Sequence, residues 1–430
     1  MIGAIADDFT GGTDVAVAFR RAGLRTVVVF GDPTSAGDLP EHDALVVALK
    51  TRTIDADDAV RQSLDAAEWL RSRGADQLFF KFCSTFDSRP DGNIGPVADA
   101  LADLLGAARA AVVPASPEHL RTQYLGHLFV DRDLLSDSPM RHHPLTPMTD
   151  SYIPRVLETQ TERAVGLVDL RDVQRGRQHI RSLFDAAEAA GTRYVVVDAV
   201  TDDDLVEIGF ACLSDPLVTG AAGLAGGLGV ARSATLRAQG AAPVGPLDMD
   251  PIGDSLSAVL AGSCSARTLE QIAHMQADHE SFRLDPLVTP DSRELADAAL
   301  AWVDARSGSS APLIYSSLPP AELQRVQAAL GVDGASLILE TAMGYVAQGL
   351  VERGIRRIVV AGGETSGAVV TALNVAGGTI GEEVAPGVPW IYTTGETPIA
   401  LLLKSGNFGE PELLSRSVDA STITATEVAV

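Results

Sequence analysis

Ile358-Val359-Val360-Ala361-Gly362-Gly363-Glu364-Thr365-Ser366-Gly367-Ala368-Val369-Val370 is the stretch whose reading decides the fold. Four consecutive apolar residues suit a strand covered on both faces, as in a parallel sheet. Glycines then break the run, and Val369, Val370 and Leu373 return on one face at helical spacing. Strand, Gly-rich turn, helix is half of a βαβ unit. The same order recurs before it, where an apolar run at 258–261 leads into Gly262-Ser263-Cys264-Ser265 and Thr268 and Gln271 stand at capping-box spacing. A further strand is expected at 313–315. In the first half, strands are expected at 2–6, 26–30, 44–49, 78–82, 110–113, 165–168 and 194–197. Between the first two, Val15, Ala18, Phe19 and Ala22 mark an amphipathic helix that Gly23 closes. The predicted class is α/β, with parallel sheets in two domains.

A chain of 430 residues exceeds the ~150 residues of one average domain and can bury more than one core. Aromatics make up only 5%, so these cores rest on Ala, Val, Leu and Ile. The net charge of −24 repels nucleic acid and anionic membrane surfaces, and neither is expected as a partner. An enzyme of anionic substrates with that charge must gather cations locally. Cys83, Cys212 and Cys264 form no Cys-x-x-Cys pattern, which fits a reducing cytoplasm and argues against a disulfide framework or a thiolate metal site. Asp7 and Asp8 so near the start do not suit a signal peptide, and no apolar run reaches the ~18 residues of a membrane span. A cytoplasmic location follows as an expectation.

Gly240, Pro243, Gly245, Pro246, Pro251 and Gly253 interrupt the βα rhythm, so 236–255 reads as a linker between domains at 1–240 and 256–418. The last dozen residues read as a loose tail. Residues 132–152, with Pro139, Pro144 and Pro147 beside Arg141, His142 and His143, read as a long ordered loop.

In the second domain, glycines permit close approach of a ligand, helix N-termini attract phosphate oxygens, and Thr365 and Ser366 add hydroxyls. An ordinary capped βα turn reads as well from either loop alone. There is no Walker ending and no Gly-x-Gly-x-x-Gly. Lys404-Ser405-Gly406-Asn407-Phe408-Gly409 and the rigid Pro386-Gly387-Val388-Pro389 are further turns, and several in one domain favour a nucleotide cradle. In the first domain, Asp7-Asp8 closes strand one, where open α/β sheets bind ligands. A carboxylate there could hold a sugar hydroxyl, act as a base or bind Mg²⁺, or simply favour a helix N-terminus, the reading preferred for Asp14. Lys81-Phe82-Cys83-Ser84-Thr85-Phe86-Asp87-Ser88 and Lys50-Thr51-Arg52 supply the local cations together with hydroxyls and a carboxylate. Cys83 is not required as a nucleophile, His127 reads as structural, and His142-His143 lacks zinc-pair spacing.

Together, Ala6-Asp7-Asp8-Phe9-Thr10-Gly11, Lys81 to Ser88 with Gly92-Asn93-Ile94-Gly95-Pro96, Gly262 to Ser265, Gly362 to Gly367, Pro386 to Trp390 and Lys404 to Gly409 resemble the four-carbon acid sugar kinase family, in order and over nearly the whole chain. The resemblance implies a Rossmann-like acid-sugar domain followed by a nucleotide-binding domain. Ser138-Pro139-Met140 and the segment from His143 to Ser151 are similar to its 3-oxo-tetronate kinase branch, with threonate and erythronate kinases as alternatives. That branch phosphorylates the terminal hydroxyl of the acid to a 4-phosphate. It implies ATP and Mg²⁺, with ATP at Ser263, Ser265, Gly363, Glu364, Thr365, Ser366 and Gly406, and substrate at Asp7, Arg52, Lys81, Ser84 and Thr85. Asp8 or Asp87 would be the base, the metal ligands stay unassigned, and a homodimer is one compatible assembly. Two positions depart from the family: Leu120 stands where Gly usually precedes Arg121, and Thr219-Gly220-Ala221-Ala222-Gly223 replaces Thr-Gly-Gly-Ser-Gly.

An NAD-dependent dehydrogenase is the rival enzyme, but two aspartates follow strand one where a dinucleotide fingerprint belongs. A solute-binding or regulatory protein is the non-enzyme rival, and neither an export signal nor a DNA-binding motif supports it.

Overall fold

Runs of β-branched and aliphatic residues form strands with both faces covered. The computed structural model describes residues 1–142, 146–241, 252–253, 255–306, 310–394 and 397–419. It divides into two units, Met1–Gly245 and Pro246–Val430. Most of the expected linker, the expected tail and His143-Pro144-Leu145 lie outside the described residues.

The first unit contains β1 (Ile2–Ala6), β2 (Thr26–Phe30), β3 (Ala44–Ala48), β4 (Gln77–Lys81), β5 (Ala110–Val113), β6 (Arg121–Tyr124), β7 (His127–Val130), β8 (Asp133–Leu134), β9 (Val165–Val168), β10 (Tyr194–Val197) and β11 (Leu217–Gly220). Every residue of β1 to β5 is buried, as the apolar runs require. The main sheet is parallel throughout, in the order β2-β3-β1-β4-β11-β5-β10-β9. Successive residues of β4 face opposite layers. Phe79 meets Phe19 of helix Phe9–Arg21, whereas Phe80 joins the core under helices Ala56–Ser72 and Ile94–Leu105. The chain builds β2 and β3 to one side of β1 and then crosses to β4 on the other. The helices after β1 and β4 therefore lie on opposite faces, and the strand ends between them form a switch-point crevice.

β6, β7 and β8 make a small antiparallel sheet, of which only β8 falls within the long loop expected at 132–152. The buried Asp198 carboxylate ties it down by accepting from the N–H groups of Leu125, Gly126 and Leu170 and from Gln123 Nε2. Leu120, the first departure from the family, has φ 60° and ψ 35°. This is the left-handed region, which explains why glycine suits the position.

The second unit contains β12 (Ser257–Ala261), β13 (Ser281–Arg283), β14 (Leu313–Tyr315), β15 (Arg357–Ala361), β16 (Gly377–Ala385), β17 (Val388–Thr393) and β18 (Ala400–Lys404). Their order is β13-β14-β12-β15-β18-β17-β16. The first five run parallel, and β17 runs antiparallel to both of its neighbours. The expected Pro386–Pro389 turn is the hairpin between β16 and β17, with Gly387 at φ 74°. Two expectations shift locally. Helix Gly363–Ala372 begins inside the predicted loop, so only Gly362 is a true turn residue. The cap of helix Ala266–Met275 is Ser265, which accepts from Thr268 N, and Gln271 serves a different purpose. Among the described residues no helix is long and apolar enough to cross a membrane.

Candidate functional site

In the first unit the crevice at the ends of β1, β3 and β4 collects the residues singled out from the sequence. Backbone bonds register the three strand ends: Asp7 N–H donates to Lys81 O at 3.2 Å, and Thr51 and Arg52 N–H donate to Asp7 O at 2.9 and 3.1 Å. The Arg52 guanidinium grips Asp7 with two bonds, Nε to Oδ2 at 2.9 Å and Nη2 to Oδ1 at 2.7 Å, and also lies 2.8 Å from Asp8 Oδ1. Burial opposes the Arg52 charge, but Asp7 and Asp8 outweigh it and hold the guanidinium firmly protonated. Asp8 caps helix Phe9–Arg21 by accepting from Gly11 N at 2.8 Å. A Cβ on Gly11 would lie 2.3 Å from Asp8 Oδ1 and 3.0 Å from Lys81 Nζ. That glycine is what lets the carboxylate and the buried ammonium share one corner.

Thr85 Oγ1 donates to Asp87 Oδ1 at 2.6 Å and Cys83 Sγ donates to Oδ2 at 3.0 Å, so both oxygens of Asp87 are engaged. Burial, followed by Asp87, pushes the Cys83 thiol up to about 11, and it stays neutral. A nucleophilic role for Cys83 has no support here. Ser84 is half-buried beside them. Asn93, quoted only as part of a motif, braces the 51–54 loop through bonds from its Nδ2 to the carbonyls of Thr51, Arg52 and Ile54. Asp14 is more than a helix-end charge. Burial raises its carboxyl against the opposing fields of His119 and Lys81. The His127 ring lies 5.1 Å from that of Tyr152 and is tilted by 48° to it.

In the second unit, β12 leads to β13 and β14 on one side, while β15 adjoins β12 on the other. The loops after β12, β15 and β18 converge there. Gly262 and Ser263 N–H both donate to Ala361 O, and Gly362 N–H donates to Lys404 O at 2.9 Å. The fit is close at three glycines. A Cβ on Gly262 would come 2.1 Å from Thr365 Oγ1, one on Gly362 3.0 Å from Ser263 N, and one on Gly406 2.4 Å from Ser263 Oγ. The first intrahelical bond after β15 is from Ser366 N to Gly362 O, so the amides of Gly363, Glu364 and Thr365 lie ahead of the ladder. Ser366 Oγ is buried without a hydrogen-bond partner among the described residues.

A cavity of about 340 Å³ opens beside these loops, with Ser263, Gly363, Glu364 and Thr365 on one wall and Leu318 and Met343 among the apolar residues of the other. One polar wall of hydroxyls and helix N-termini facing an apolar one suits a nucleotide, phosphates to the first and base to the second. Lys404 does not face that space. Its side chain is fully buried, and Nζ donates to Thr268 Oγ1, Gln271 Oε1 and Gly406 O. Among the described residues no group of three acidic, histidine or cysteine side chains is placed to hold a metal ion.

The order of the two units is that of a protein with a small-molecule domain followed by a nucleotide domain. The sequence profile of the sugar-binding N-terminal domain matches residues 2–228, and that of the nucleotide-binding C-terminal domain matches residues 258–414. The chain belongs to the four-carbon acid sugar kinase family. It is 47% identical to the 3-oxo-tetronate kinase of Burkholderia multivorans over 98% of this chain and 97% of that one. It is 45% identical to the 3-oxo-tetronate kinase of Methylobacterium radiotolerans, over 97% and 98%. Among solved structures, a Salmonella typhimurium LT2 protein superposes with a TM-score of 0.86 at 39% identity, covering 97% of this chain and 98% of that one. A Haemophilus influenzae protein gives 0.79 at 38%, covering 96% and 98%. The α/β fold and the kinase reading made from the sequence both stand.

Proposed function

We propose that the chain transfers the terminal phosphoryl group of Mg²⁺·ATP to the 4-hydroxyl of a 3-oxo-tetronate, with residues 1–240 holding the acid and residues 256–418 the nucleotide. The observation that carries the reading is the corner where Arg52 and Lys81 meet Asp7 and Asp8. It offers cations for a carboxylate and acceptors for hydroxyls, in a chain whose net charge is otherwise −24. Arg52, already committed to two carboxylates, orients them, and Lys81 meets the substrate carboxylate. Thr85, held by Asp87, and the half-buried Ser84 present hydroxyls to the sugar. Asp8 is the better candidate for the base than Asp87. Both oxygens of Asp87 accept bonds, whereas those to Asp8 fall on Oδ1 and leave Oδ2 to take a proton.

Phosphoryl transfer asks for positioning and charge neutralisation more than for covalent help. Ser263, Ser265, the first turn after β15 and Gly406 would hold the phosphates. Mg²⁺ bound with the nucleotide would offset phosphate charge, and Glu364 is the carboxylate on that wall of the cavity. The free cysteines fit a cytoplasmic enzyme. The similarity to relatives named 3-oxo-tetronate kinase favours the oxidised acid over threonate or erythronate. A coupled ADP-release assay across 3-oxo-tetronates, threonates and erythronates tests the proposal. Release with the 3-oxo acid is expected; release with threonate alone would transfer the substrate, and none with any acid would end the kinase assignment.

A further inference from the structure

Lys404 is a cationic residue singled out from the sequence that the proposed chemistry leaves unused, and its side chain is fully buried. The last residue of β18 is fully buried, yet among the described residues no carboxylate pairs with it. Its three contacts are all neutral oxygens, and all three belong to the machinery of the nucleotide cradle. Thr268 Oγ1 and Ser265 Oγ each donate to Gly406 O, at 2.8 and 2.6 Å, and Lys404 Nζ approaches the same carbonyl at 3.2 Å. Gln271 accepts from Lys404 through Oε1 and uses Nε2 to hold the carbonyls of Phe408, Gly409 and Glu410. The ammonium thus fastens the whole 406–410 turn to the N-terminal turns of helix Ala266–Met275.

We propose that Lys404 is a positioning residue whose proton is coupled to nucleotide occupancy: its ammonium form sets Gly406 and Ser265 against the phosphates, and a bound polyphosphate in turn stabilises that ammonium. The inference rests on the nucleotide site proposed above. Other charged groups on the packed elements are Arg267, Glu270 and His274 of the helix and Glu410 and Glu412 after the turn. Burial, and then Arg267, lowers the Lys404 ammonium to about 7. Glu270 is ion-paired to Arg267, and His274 lies 3.3 Å from Ser415 Oγ. Near pH 8 an amine so held is mostly neutral and donates fewer bonds than the geometry offers acceptors. A phosphate arriving at the same loops supplies the negative field that the site lacks. Binding above pH 7 must then take up a proton, and affinity must fall as pH rises.

The test is calorimetric titration of the full chain with Mg²⁺·ADP at pH 8 in two buffers of different ionisation enthalpy. The diphosphate has no remaining proton to exchange there, because its second ionisation lies near pH ~6. If occupancy lifts the ammonium to about 9, the wild type takes up about 0.8 of a proton. Lys404→Met should abolish the uptake and weaken ADP about tenfold or more. A merely structural lysine would change affinity without a proton count. Where Lys404→Met does not fold, the wild-type count decides. Tight binding with no proton uptake and flat affinity from pH 6.5 to 8.5 would overturn the role of Lys404 and leave the nucleotide site standing. Failure of the wild type to bind ADP would overturn both.

Discussion

Gly406→Ala puts the nucleotide reading at risk with a single methyl group. The Cβ would sit 2.4 Å from Ser263 Oγ, against the 3.4 Å at which ordinary contact begins, and 3.1 Å from Ser265 Oγ. No positive φ is recorded at Gly406, so alanine is admissible for the backbone and the conflict is local. Relief requires the Ser263 hydroxyl to move by about 1 Å or the 406 turn to back away from Ser265, which breaks the 2.6 Å bond to Gly406 O. A hydroxyl donating to a phosphate contributes about 1.5–3 kcal/mol, equivalent to about a 10- to 150-fold change in affinity. The expected result is a KM for ATP raised by about that factor, with the KM for the acid nearly unchanged. Steady-state ADP release at varied ATP, supported by calorimetric titration with ADP, reads both numbers. Circular dichroism and thermal melting establish that the variant is folded. A folded Gly406→Ala enzyme with wild-type nucleotide affinity would refute the placement of phosphates between the loops after β12 and β18.

Arg52→Met leaves the Asp7 carboxylate, 6% exposed, without its guanidinium. A buried pair broken on one side loses about 3–5 kcal/mol, so urea unfolding of the first unit should move to lower concentration, and adding Asp7→Asn should recover part of the loss. A shift below about 1 kcal/mol would contradict the geometry. Cys83, held at about 11, should react with a thiol reagent at pH 7.5 about 100-fold more slowly than a cysteine of ordinary pKa, and the rate should climb toward pH 11. The measurement is made in a Cys264→Ser background, and fast labelling at neutral pH would show a thiolate that the site does not predict. Leu120→Gly removes a left-handed leucine that is 57% exposed. The relief of about 1–2 kcal/mol, less the ~0.4–1 kcal/mol of added unfolded-state freedom, predicts a small gain in the urea midpoint. A lower midpoint would mean that the side chain packs more than its exposure suggests.

The strands legible in the sequence are those with uninterrupted apolar runs, such as Ile2–Ala6, Thr26–Phe30 and Tyr194–Val197, because a parallel strand is covered on both faces. β11 leaves little trace in the sequence because Leu217–Gly220 contributes only two aliphatic residues before a Gly/Ala stretch, and its place is fixed by pairing with β4 and β5. β16 carries Glu382 and Glu383 and β17 carries Pro389, signals that argue against strands unless the antiparallel hairpin is known. At the sites, residue types were readable and partners were not. Arg52 reaches Asp7 across 45 positions because β1 and β3 are neighbours, and Lys404 reaches Gln271 across 133 because β18 and β12, whose following helix carries Gln271, flank β15. Only the topology states those distances, and only it turns Lys404 away from the cavity that its motif suggested.

The interlocked glycines at 262, 362 and 406 bear on how such a site can change over time. Each backbone occupies space that a side chain from the next loop would otherwise need. A substitution at Gly362 or Gly406 is therefore judged by the loop after β12, and a loop transplanted alone from a distant relative should fit badly even if its own sequence is sound. The apolar wall containing Leu318 and Met343 has no such mutual constraint among these glycines. Under the proposed placement of the nucleotide, drift in the preferred base is expected to accumulate on that wall, while the opposite side persists or is replaced as one piece.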